Sequence, residues 1–314
     1  MIAPPEHALI REVGPRDGFQ NEPEVIATDD KIAIIDKLTA TGLTRIEITS
    51  FVRPDVIPQL ADGAEVLSRV QRREGVSFSV LIPNRRGLEN ALKQRDRIDE
   101  ISVFLSASES HNMKNVNRTI GQSLAELTGV VADARKDGLR CVAVISTSFG
   151  CPYEGRVNPG RVFEIAGALA EAGCAEIGFG DTTGMANPLQ VGEFFPAAAT
   201  ALPGTQLTAH FHNTRGQGLA NVLSALWGGC TSFESSFGEL GGCPFPPGST
   251  GNVATEDVVS MLEEMGVSTG IDLPALVDCS REMQDRLGRT LTSHVLTAGP
   301  VQWADQDRAN SGNR

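Results

Sequence analysis

Short apolar runs alternate with longer amphipathic stretches along most of the chain. The short runs have the composition of β-strands and predict eight of them, at Leu9–Val13, Arg45–Thr49, Ser77–Ile82, Glu100–Leu105, Arg140–Ser146, Glu176–Gly180, Leu207–His212 and Thr231–Ser235. The stretches between these strands have helical spacing. In Asp29–Thr41, for example, the apolar residues Ile32, Ile35 and Leu38 recur at three-residue steps, which predicts an amphipathic helix.

The alternation of eight strand and helix units predicts an α/β fold, a (β/α)8 TIM barrel. The helical stretch Pro159–Ala172 begins with a proline, and Gly42, Gly138 and Gly173 stand where helices should end. Strands joined by helices form parallel sheets, and closing the sheet removes its exposed edges. An open doubly wound sheet is the alternative, but it predicts a glycine-rich nucleotide-binding turn after the first strand, and Gly14–Gly18 lacks that spacing.

The length of the chain fits one barrel with added C-terminal helices. A barrel takes about 250 residues, and this chain has 314. We expect residues 1–290 to form the barrel domain, including an added helix at Leu273–Leu287. Residues 291–314 form a C-terminal extension that is polar after Gln302, which predicts that part of it is disordered.

The charge balance is acidic, with 39 acidic and 27 basic residues and a net charge of -12. This charge opposes nonspecific binding to nucleic acid or to an anionic membrane, so we expect a small-molecule partner. The sequence has no run of about 18 apolar residues, which is the length needed to span a bilayer. Residues Met1–Glu6 also lack the basic start and apolar stretch of a signal peptide. We therefore expect a cytoplasmic protein with neither a nucleic-acid nor a membrane partner.

The cysteines lack the close-paired spacing of zinc ribbons and redox motifs. The six residues are Cys141, Cys151, Cys174, Cys230, Cys243 and Cys279. We expect reduced thiols, with Cys141 and Cys174 as small core residues because their surroundings are apolar.

Two histidines in the seventh predicted strand are the first candidates for chemistry. Successive side chains of a strand point to opposite faces, so His210 and His212 share one face. Two imidazoles on one face can bind a divalent metal, and the whole chain has only five histidines. The alternative is a pair of hydrogen-bonded core histidines.

Further polar residues follow the predicted strands at the end where β/α barrels carry their active sites. They are Arg16, Asp17, Gln20, Glu47, Thr49, Asp181 and Thr182, and in the last loop Glu239, Cys243 and Asn252. Asp17 alone would be interpreted as a turn cap. Together with His210, His212 and Asn252, it forms a mixed oxygen and nitrogen donor set that suits Mg²⁺ or Mn²⁺.

Two other residues suggest how charge and protons are handled. Arg16 adjoins the candidate ligand Asp17 and stays cationic, so it can stabilise an oxyanion that develops during a reaction; a surface salt bridge is the alternative. The segment Gly238–Gly248 is rich in glycine and proline, which predicts a mobile loop at the barrel mouth. Cys243 in that loop could donate or accept a proton only if the loop closes over substrate.

These motifs resemble the hydroxymethylglutaryl-CoA lyase family, whose members are metal-dependent barrel enzymes with an Arg-Asp pair after the first strand. The resemblance lies in Glu12–Glu22, His210–His212, Gly241–Pro244 and Gly251–Asn252. Thr49–Val52, Ser106–Asn112 and Gly150–Gly155 are also similar to segments of that family. The likeness extends from about Ile10 to Gly266.

The resemblance implies cleavage of a 3-hydroxyacyl-CoA that carries a distal carboxylate, first of all 3-hydroxy-3-methylglutaryl-CoA to acetyl-CoA and acetoacetate. It implies four metal ligands, namely Asp17, His210, His212 and Asn252. Arg16 would steady the enolate and bind substrate with Gln20, and Cys243 would carry a proton. Glu47 and Asp181 match catalytic positions. Dimers are common in the family, so we expect a homodimer.

Three features depart from the family pattern and leave the substrate open. Asn213-Thr214-Arg215 replaces Asp-Thr-Tyr, Glu239 stands where glycine is usual, and Phe245 where tyrosine is common. Citramalyl-CoA or a longer branched analogue is therefore an alternative substrate. A condensing synthase of the isopropylmalate or homocitrate type shares Arg16–Gly18 and a His-x-His-Asn strand, but lacks the Gly-Gly-Cys-Pro loop. A noncatalytic barrel that serves as a binding scaffold is the alternative outside enzymes.

Overall fold

Eight parallel strands close on themselves in sequential order, so that β1 pairs with both β2 and β8. The computed structural model describes residues 3–241 and 251–303. The strands are β1 Leu9–Glu12, β2 Arg45–Ser50, β3 Ser77–Leu81, β4 Glu100–Ser106, β5 Arg140–Ser146, β6 Glu176–Asp181, β7 Gln206–Phe211 and β8 Ser232–Ser235. The predicted TIM barrel is confirmed, and the open sheet is excluded because β8 returns to β1.

Helices surround the barrel and continue beyond the eighth strand. They are α1 Thr28–Leu38, α2 Gly63–Arg69, α3 Arg85–Ala91, α4 Glu109–Val116, α5 Ile120–Lys136, α6 Pro159–Ala172, α7 Pro188–Ala201, α8 Gly218–Trp227, α9 Thr255–Glu264, α10 Leu273–Leu287 and α11 His294–Ala298. The predicted helices Pro159–Ala172 and Leu273–Leu287 are confirmed at both ends. Within the described ranges, no helix combines the length and the apolarity needed to cross a membrane.

Most predicted strands differ from the structure by one residue at an end, and two differences in helix or strand bounds bear on the fold and the site. Helix α1 ends at Leu38 instead of Thr41, because the Thr41 hydroxyl donates to the Leu38 carbonyl and satisfies one of the last free acceptors. Strand β7 ends at Phe211, so His212 lies just beyond it. His212 instead forms a single antiparallel bridge with Asn252, which comes from the segment after β8.

The end of β7 shows the alternation of faces that the sequence predicted. Phe211 points outward, where its ring centroid lies 5.7 Å from that of Phe149. Phe149 in turn packs at 4.8 Å from Phe194 of α7. His210 and His212 face the opposite way and contact each other. The apolar packing of Phe211 therefore fixes which way the two imidazoles point.

The barrel interior contains an ion cluster that the sequence analysis missed. We call Arg11, Glu47, Glu100 and Glu234 the interior ion cluster. The Arg11 guanidinium is fully buried and lies 2.7 Å from Glu234, 3.3 Å from Glu47 and 3.4 Å from Glu100. Burial disfavours its charge, but the three carboxylates outweigh burial and raise the pKa of Arg11.

The C-terminal helices are tied to α9 through one carboxylate. Asp257 accepts hydrogen bonds from the Ser293 hydroxyl at 3.0 Å and from the Val295 amide at 2.8 Å. Leu291 beside them is buried. Of the predicted extension 291–314, residues 304–314 lie outside the described residues.

Candidate metal centre and active site

A π-helical turn after β1 presents Arg16 and Asp17 at the barrel mouth. The Val13 carbonyl accepts hydrogen bonds from the amides of Arg16 and Asp17, at 3.1 and 2.7 Å. Gly14 must lack a side chain here, because a Cβ would lie 2.5 Å from the Phe237 ring. Such π-turns are uncommon and frequently mark functional sites. The tight turn thus directs two adjacent charged side chains into one small space.

The structure brings together all four predicted metal ligands, which we call the metal site. The ligand atoms of Asp17, His210 and His212 lie within 4.8 Å of one another. The Nε2 atoms of the two histidines are 3.1 Å apart. Asn252 joins them because its Nδ2 donates to the Asp17 carboxylate at 2.9 Å. Neighbouring ligands around an octahedral Mg²⁺ lie about 3.0 Å apart, which the two imidazole nitrogens match.

An unpaired polar atom supports a metal as the missing partner. Asn252 Oδ1 is buried without a hydrogen-bond partner within residues 3–241 and 251–303. A buried polar atom of this kind requires an explanation, and an ion is one. The donor set of one carboxylate, two imidazoles and one amide oxygen fits a divalent cation of the Mg²⁺ or Mn²⁺ type. The metal-binding role of these residues stays a prediction that this donor set supports.

The protonation states of two candidate ligands, His212 and Asp17, suit metal binding. Burial, reinforced by the neighbouring His210, lowers the pKa of His212 to about 3, so this ring is neutral near pH 7. Burial alone would raise the pKa of Asp17, but the charge of Arg16 together with its other neighbours, including the hydrogen bond from Asn252, outweighs burial and holds that pKa below its usual range. A neutral imidazole and an ionised carboxylate are the forms that bind a cation. For His210, burial disfavours the charged ring, but Glu234 and Asp17 outweigh burial and raise its pKa, so a cation would have to displace a proton there.

Glu234 connects the metal site to the interior ion cluster. Its Oε2 lies 2.9 Å from His210 Nδ1, and its Oε1 accepts from Arg11. A hydrogen bond on one ring nitrogen of a histidine leaves the other nitrogen free to bind metal and fixes the ring orientation. Sequence reasoning missed Glu234. The available signal was a set of charged residues inside predicted strands, where a barrel interior should be apolar.

Arg16 is held between two carboxylates. Its Nε donates to Glu47 at 2.5 Å, and its Nη1 donates to Asp17 at 2.6 Å. The Arg16 side chain is 12% exposed, whereas that of Glu47 is buried. Glu47 therefore positions the guanidinium beside the metal site, where its charge can act on a nearby oxyanion.

Asp181, at the end of β6, carries a second unpaired atom. Its Oδ1 accepts from the amides of Met185 at 2.8 Å and Ala186 at 3.1 Å. Its Oδ2 is buried without a partner in the described part of the chain. Burial raises the pKa of Asp181 to about 7, although the two amides oppose that shift. A carboxyl with this pKa can both give and take a proton near neutral pH.

The remaining predicted site residues are less closely defined. Gln20 is partly exposed and follows the π-helical turn. Thr49 is buried at the end of β2, and Thr182 follows β6 and accepts from the Thr147 amide at 3.0 Å. Cys243 and Phe245 lie outside the described residues.

Two further buried carboxyls anchor the segment after β8. Glu12 accepts from the amides of Gly14 at 2.7 Å and Phe237 at 3.1 Å, and burial raises its pKa to about 7. Glu256 accepts from the Gly238 amide at 2.9 Å, and burial raises its pKa to about 8. The two groups join the π-helical turn, the segment after β8 and helix α9 into one support for the metal site.

Three departures from the family pattern, Asn213, Arg215 and Glu239, are occupied by internal contacts. Arg215 Nη1 donates to the carbonyls of Thr183 and Gly184, both at 2.8 Å. Asn213 Nδ2 donates to Glu239 Oε1 at 2.7 Å. The Glu239 carboxylate and the Nη1 group of Arg215 therefore have hydrogen-bond partners within the protein.

The fold and the site define a β/α-barrel protein with a possible divalent-metal site at the carboxyl ends of its strands. A family model described as HMGL-like matches residues 8–283. The chain belongs to this family, as its sequence motifs predicted.

Individual relatives are similar to this chain in sequence over nearly its full length. The chain is 48% identical to the hydroxymethylglutaryl-CoA lyase YngG of Bacillus subtilis, over 93% of this chain and 97% of the relative. It is 41% identical to a 3-hydroxy-3-isohexenylglutaryl-CoA/hydroxymethylglutaryl-CoA lyase of Pseudomonas aeruginosa, over 94% and 97%. A solved structure of an HMG-CoA lyase from Acinetobacter baumannii, in complex with coenzyme A and 3-methylmalate, superposes with a TM-score of 0.90 at 41% identity, covering 97% of this chain and 99% of that one.

Proposed function

We propose that this protein is a metal-dependent carbon–carbon lyase that cleaves 3-hydroxy-3-methylglutaryl-CoA to acetyl-CoA and acetoacetate. The observation that carries the proposal is the convergence of four metal-type donors beside the Arg16 cation, in a chain 48% identical to a hydroxymethylglutaryl-CoA lyase. In this reaction the 3-hydroxyl loses its proton, its carbon becomes a ketone, and the bond between C2 and C3 breaks. The electron pair passes to the thioester as an enolate, which is then protonated at C2.

Asp17, His210, His212 and Asn252 would hold the cation. When bound, a divalent metal supplies Lewis-acid chemistry that lowers the pKa of a hydroxyl group. The donor types favour Mg²⁺ or Mn²⁺.

The protein's own residues handle charge and protons. Arg16, oriented by Glu47, stabilises the negative charge on the enolate oxygen. Asp181 Oδ2 is a free acceptor with a pKa suited to taking the hydroxyl proton. Gln20 binds the substrate, and Cys243 supplies the proton to C2; these two roles rest on the family resemblance.

The proposal also covers the partner of the enzyme, its location, its assembly and its domain bounds. We assign an acyl-CoA as its small-molecule partner, the cytoplasm as its location and a homodimer as its assembly. The cysteines at 141, 151, 174, 230 and 279 are free thiols, which fits a reducing compartment. We further propose that residues 1–290 are the barrel domain and 291–314 an extension whose first part is anchored by Asp257. Sedimentation of the purified protein tests the dimer.

A longer branched substrate is the second candidate. The Pseudomonas aeruginosa relative, 41% identical, is named for both 3-hydroxy-3-isohexenylglutaryl-CoA and hydroxymethylglutaryl-CoA. The Glu239 carboxylate is held by Asn213, and Arg215 Nη1 is held by two carbonyls, so both departures have partners within the protein. Chain length at C3 is therefore the feature to vary.

A panel assay tests these assignments. Protein stripped of metal is incubated with Mg²⁺ or Mn²⁺ and with 3-hydroxy-3-methylglutaryl-CoA, its isohexenyl analogue or citramalyl-CoA, and the products are identified by mass spectrometry. We expect acetyl-CoA and acetoacetate from the first substrate and none without metal. Failure to cleave any of the three with either metal, or full activity after verified metal removal, would contradict the proposal.

A further inference from the structure

Glu239 has a backbone conformation that is uncommon for a residue with a side chain. Its φ is +61°, in the left-handed region where the Cβ atom crowds the following carbonyl. It is buried, with 6% of its surface exposed, in the 3-10 turn Phe237–Glu239 after β8. Such a conformation persists only where the surroundings hold it in place.

A side-chain hydrogen bond holds Glu239 in this conformation. Its Oε1 accepts from Asn213 Nδ2 at 2.7 Å. Asn213 is itself fixed, because its Oδ1 accepts from the Gly218 amide at 3.0 Å. Asn213 directly follows the candidate ligand His212. The Asn213–Glu239 contact therefore links the end of β7 to the segment after β8.

The same segment encloses the fourth candidate ligand. A Cβ on Gly251 would collide with the carbonyl oxygens of Glu239 and Gly241, so these carbonyls lie directly against the residue before Asn252. The Leu240 carbonyl accepts from Asn252 Nδ2 at 3.3 Å. The ring closes at β7, since the Asn213 amide donates to the Gly251 carbonyl at 3.1 Å.

We propose that Glu239 is a positioning residue for the metal site. Through Asn213 it holds the carbonyls of residues 239–241 against Gly251, and this fixes the direction in which Asn252 Oδ1 and the adjacent His212 are presented to a cation. Outer contacts that orient metal ligands typically govern affinity by about 10- to 100-fold. The inference rests on the metal site of the proposed function.

Two neutral replacements of equal length separate hydrogen bonding from charge. Glu239→Gln keeps an oxygen that accepts from Asn213, whereas Glu239→Met keeps the shape and loses the acceptor. Mn²⁺ titration of the metal-free proteins by calorimetry should give about the parent affinity, within threefold, for the Gln variant and about tenfold or weaker binding for the Met variant. Equal affinities of the two variants would overturn the inference. Absence of Mn²⁺ binding by the parent protein would overturn the metal site and the inference together.

Glu239→Gly distinguishes a positioning role from simple stabilisation of the fold. It also keeps the proposal testable if the Met variant does not fold. Glycine adopts a positive φ without strain, so the metal-free variant should melt at or above the parent temperature while still binding Mn²⁺ about tenfold more weakly. Asn117→Gly is the matched control, because Asn117 also has a positive φ, of +54°, but caps α4 elsewhere. It should leave Mn²⁺ affinity unchanged. Parent-like affinity in Glu239→Gly would contradict a positioning role.

Discussion

Two adjacent groups of buried polar side chains in this barrel, the interior ion cluster and the metal site, differ in the kind of atom that is left without a hydrogen-bond partner. In the interior ion cluster, the Arg11 charge faces three carboxylates. In the metal site, Asn252 Oδ1 and His212 Nδ1 have no partner among the residues that the structure describes. Both groups are buried, so burial of charge does not distinguish them. The kind of unmatched atom does. Arg11 Nε also lacks a hydrogen bond, but it carries a proton and lies 3.4 Å from Glu100, so it cannot bind a cation, whereas the amide oxygen of Asn252 can.

The largest expected effect is on stability and concerns the interior ion cluster. Arg11→Met should lower the free energy of unfolding by about 3–5 kcal/mol, because three buried carboxylates lose their shared counter-charge and are left only with partners at the rim of the cluster, such as Arg16, Arg45 and His210. Urea denaturation followed by circular dichroism measures this. Arg53, which pairs with Asp55 on the surface, is the matched control, and Arg53→Met should leave stability nearly unchanged. Comparable losses in both variants would show that charge matching inside the barrel is not the cause.

The next effect is on turnover. Arg16→Gln should lower kcat by about 10²–10³-fold with little change in KM, because its charge acts on an enolate that exists only during reaction. Steady-state kinetics with saturating metal measures both constants. A rise in KM alone would instead make Arg16 a clamp for the substrate carboxylate. The melting temperature serves as the check on folding.

His212→Ala should weaken Mn²⁺ binding by about 100-fold. Groups that only orient metal ligands typically change affinity by about 10- to 100-fold, and loss of a ligand itself should reach the upper end of that range. Calorimetric titration of the metal-free protein gives the affinity. His294→Ala is the control, because His294 is exposed and pairs with Asp257 away from the metal site. Unchanged affinity in His212→Ala would remove His212 from the set of ligands.

The smallest expected effect is a pH-dependent gain in stability from Asp181→Asn. Burial raises the folded-state pKa of Asp181 to about 7, above the ordinary carboxyl value, so the cost of ionising it is absent near pH 4 and complete above pH 7. The metal-free variant should therefore be close to the parent in stability at pH 4 and more stable than the parent at pH 8, with the gain growing between these values. Urea titrations at the two pH values test this. A gain of equal size at pH 4 would contradict the assigned pKa.

The sequence predicted the strands closely, but it misplaced His212. Strand β5 and helices α6 and α10 have the predicted bounds because apolar periodicity and the end signals are local. His212 was assigned to a strand from the same periodicity. Its backbone instead pairs with Asn252, 40 positions along, which no local pattern indicates.

The sequence revealed site candidates that are neighbours in sequence and missed contacts between distant strands. Arg16 and Asp17 are adjacent, and His210 and His212 share a face, so both pairs were visible. Glu234 was missed because its role depends on Arg11, 223 positions away. The Asn213–Glu239 hydrogen bond was likewise invisible, although both residues had been noted as departures from the family.

The sequence alone determined the order of the strands and helices, the closed parallel barrel they favour and the residue types of a metal site. These follow from periodicity and from donor chemistry, which act over a few residues. Only the tertiary structure decided that Asp17 meets Asn252 across 235 positions and that Arg11 lies among three carboxylates. Closure of the barrel makes these contacts, because it brings β8 beside β1 and so places polar residues from the first and last strands next to one another.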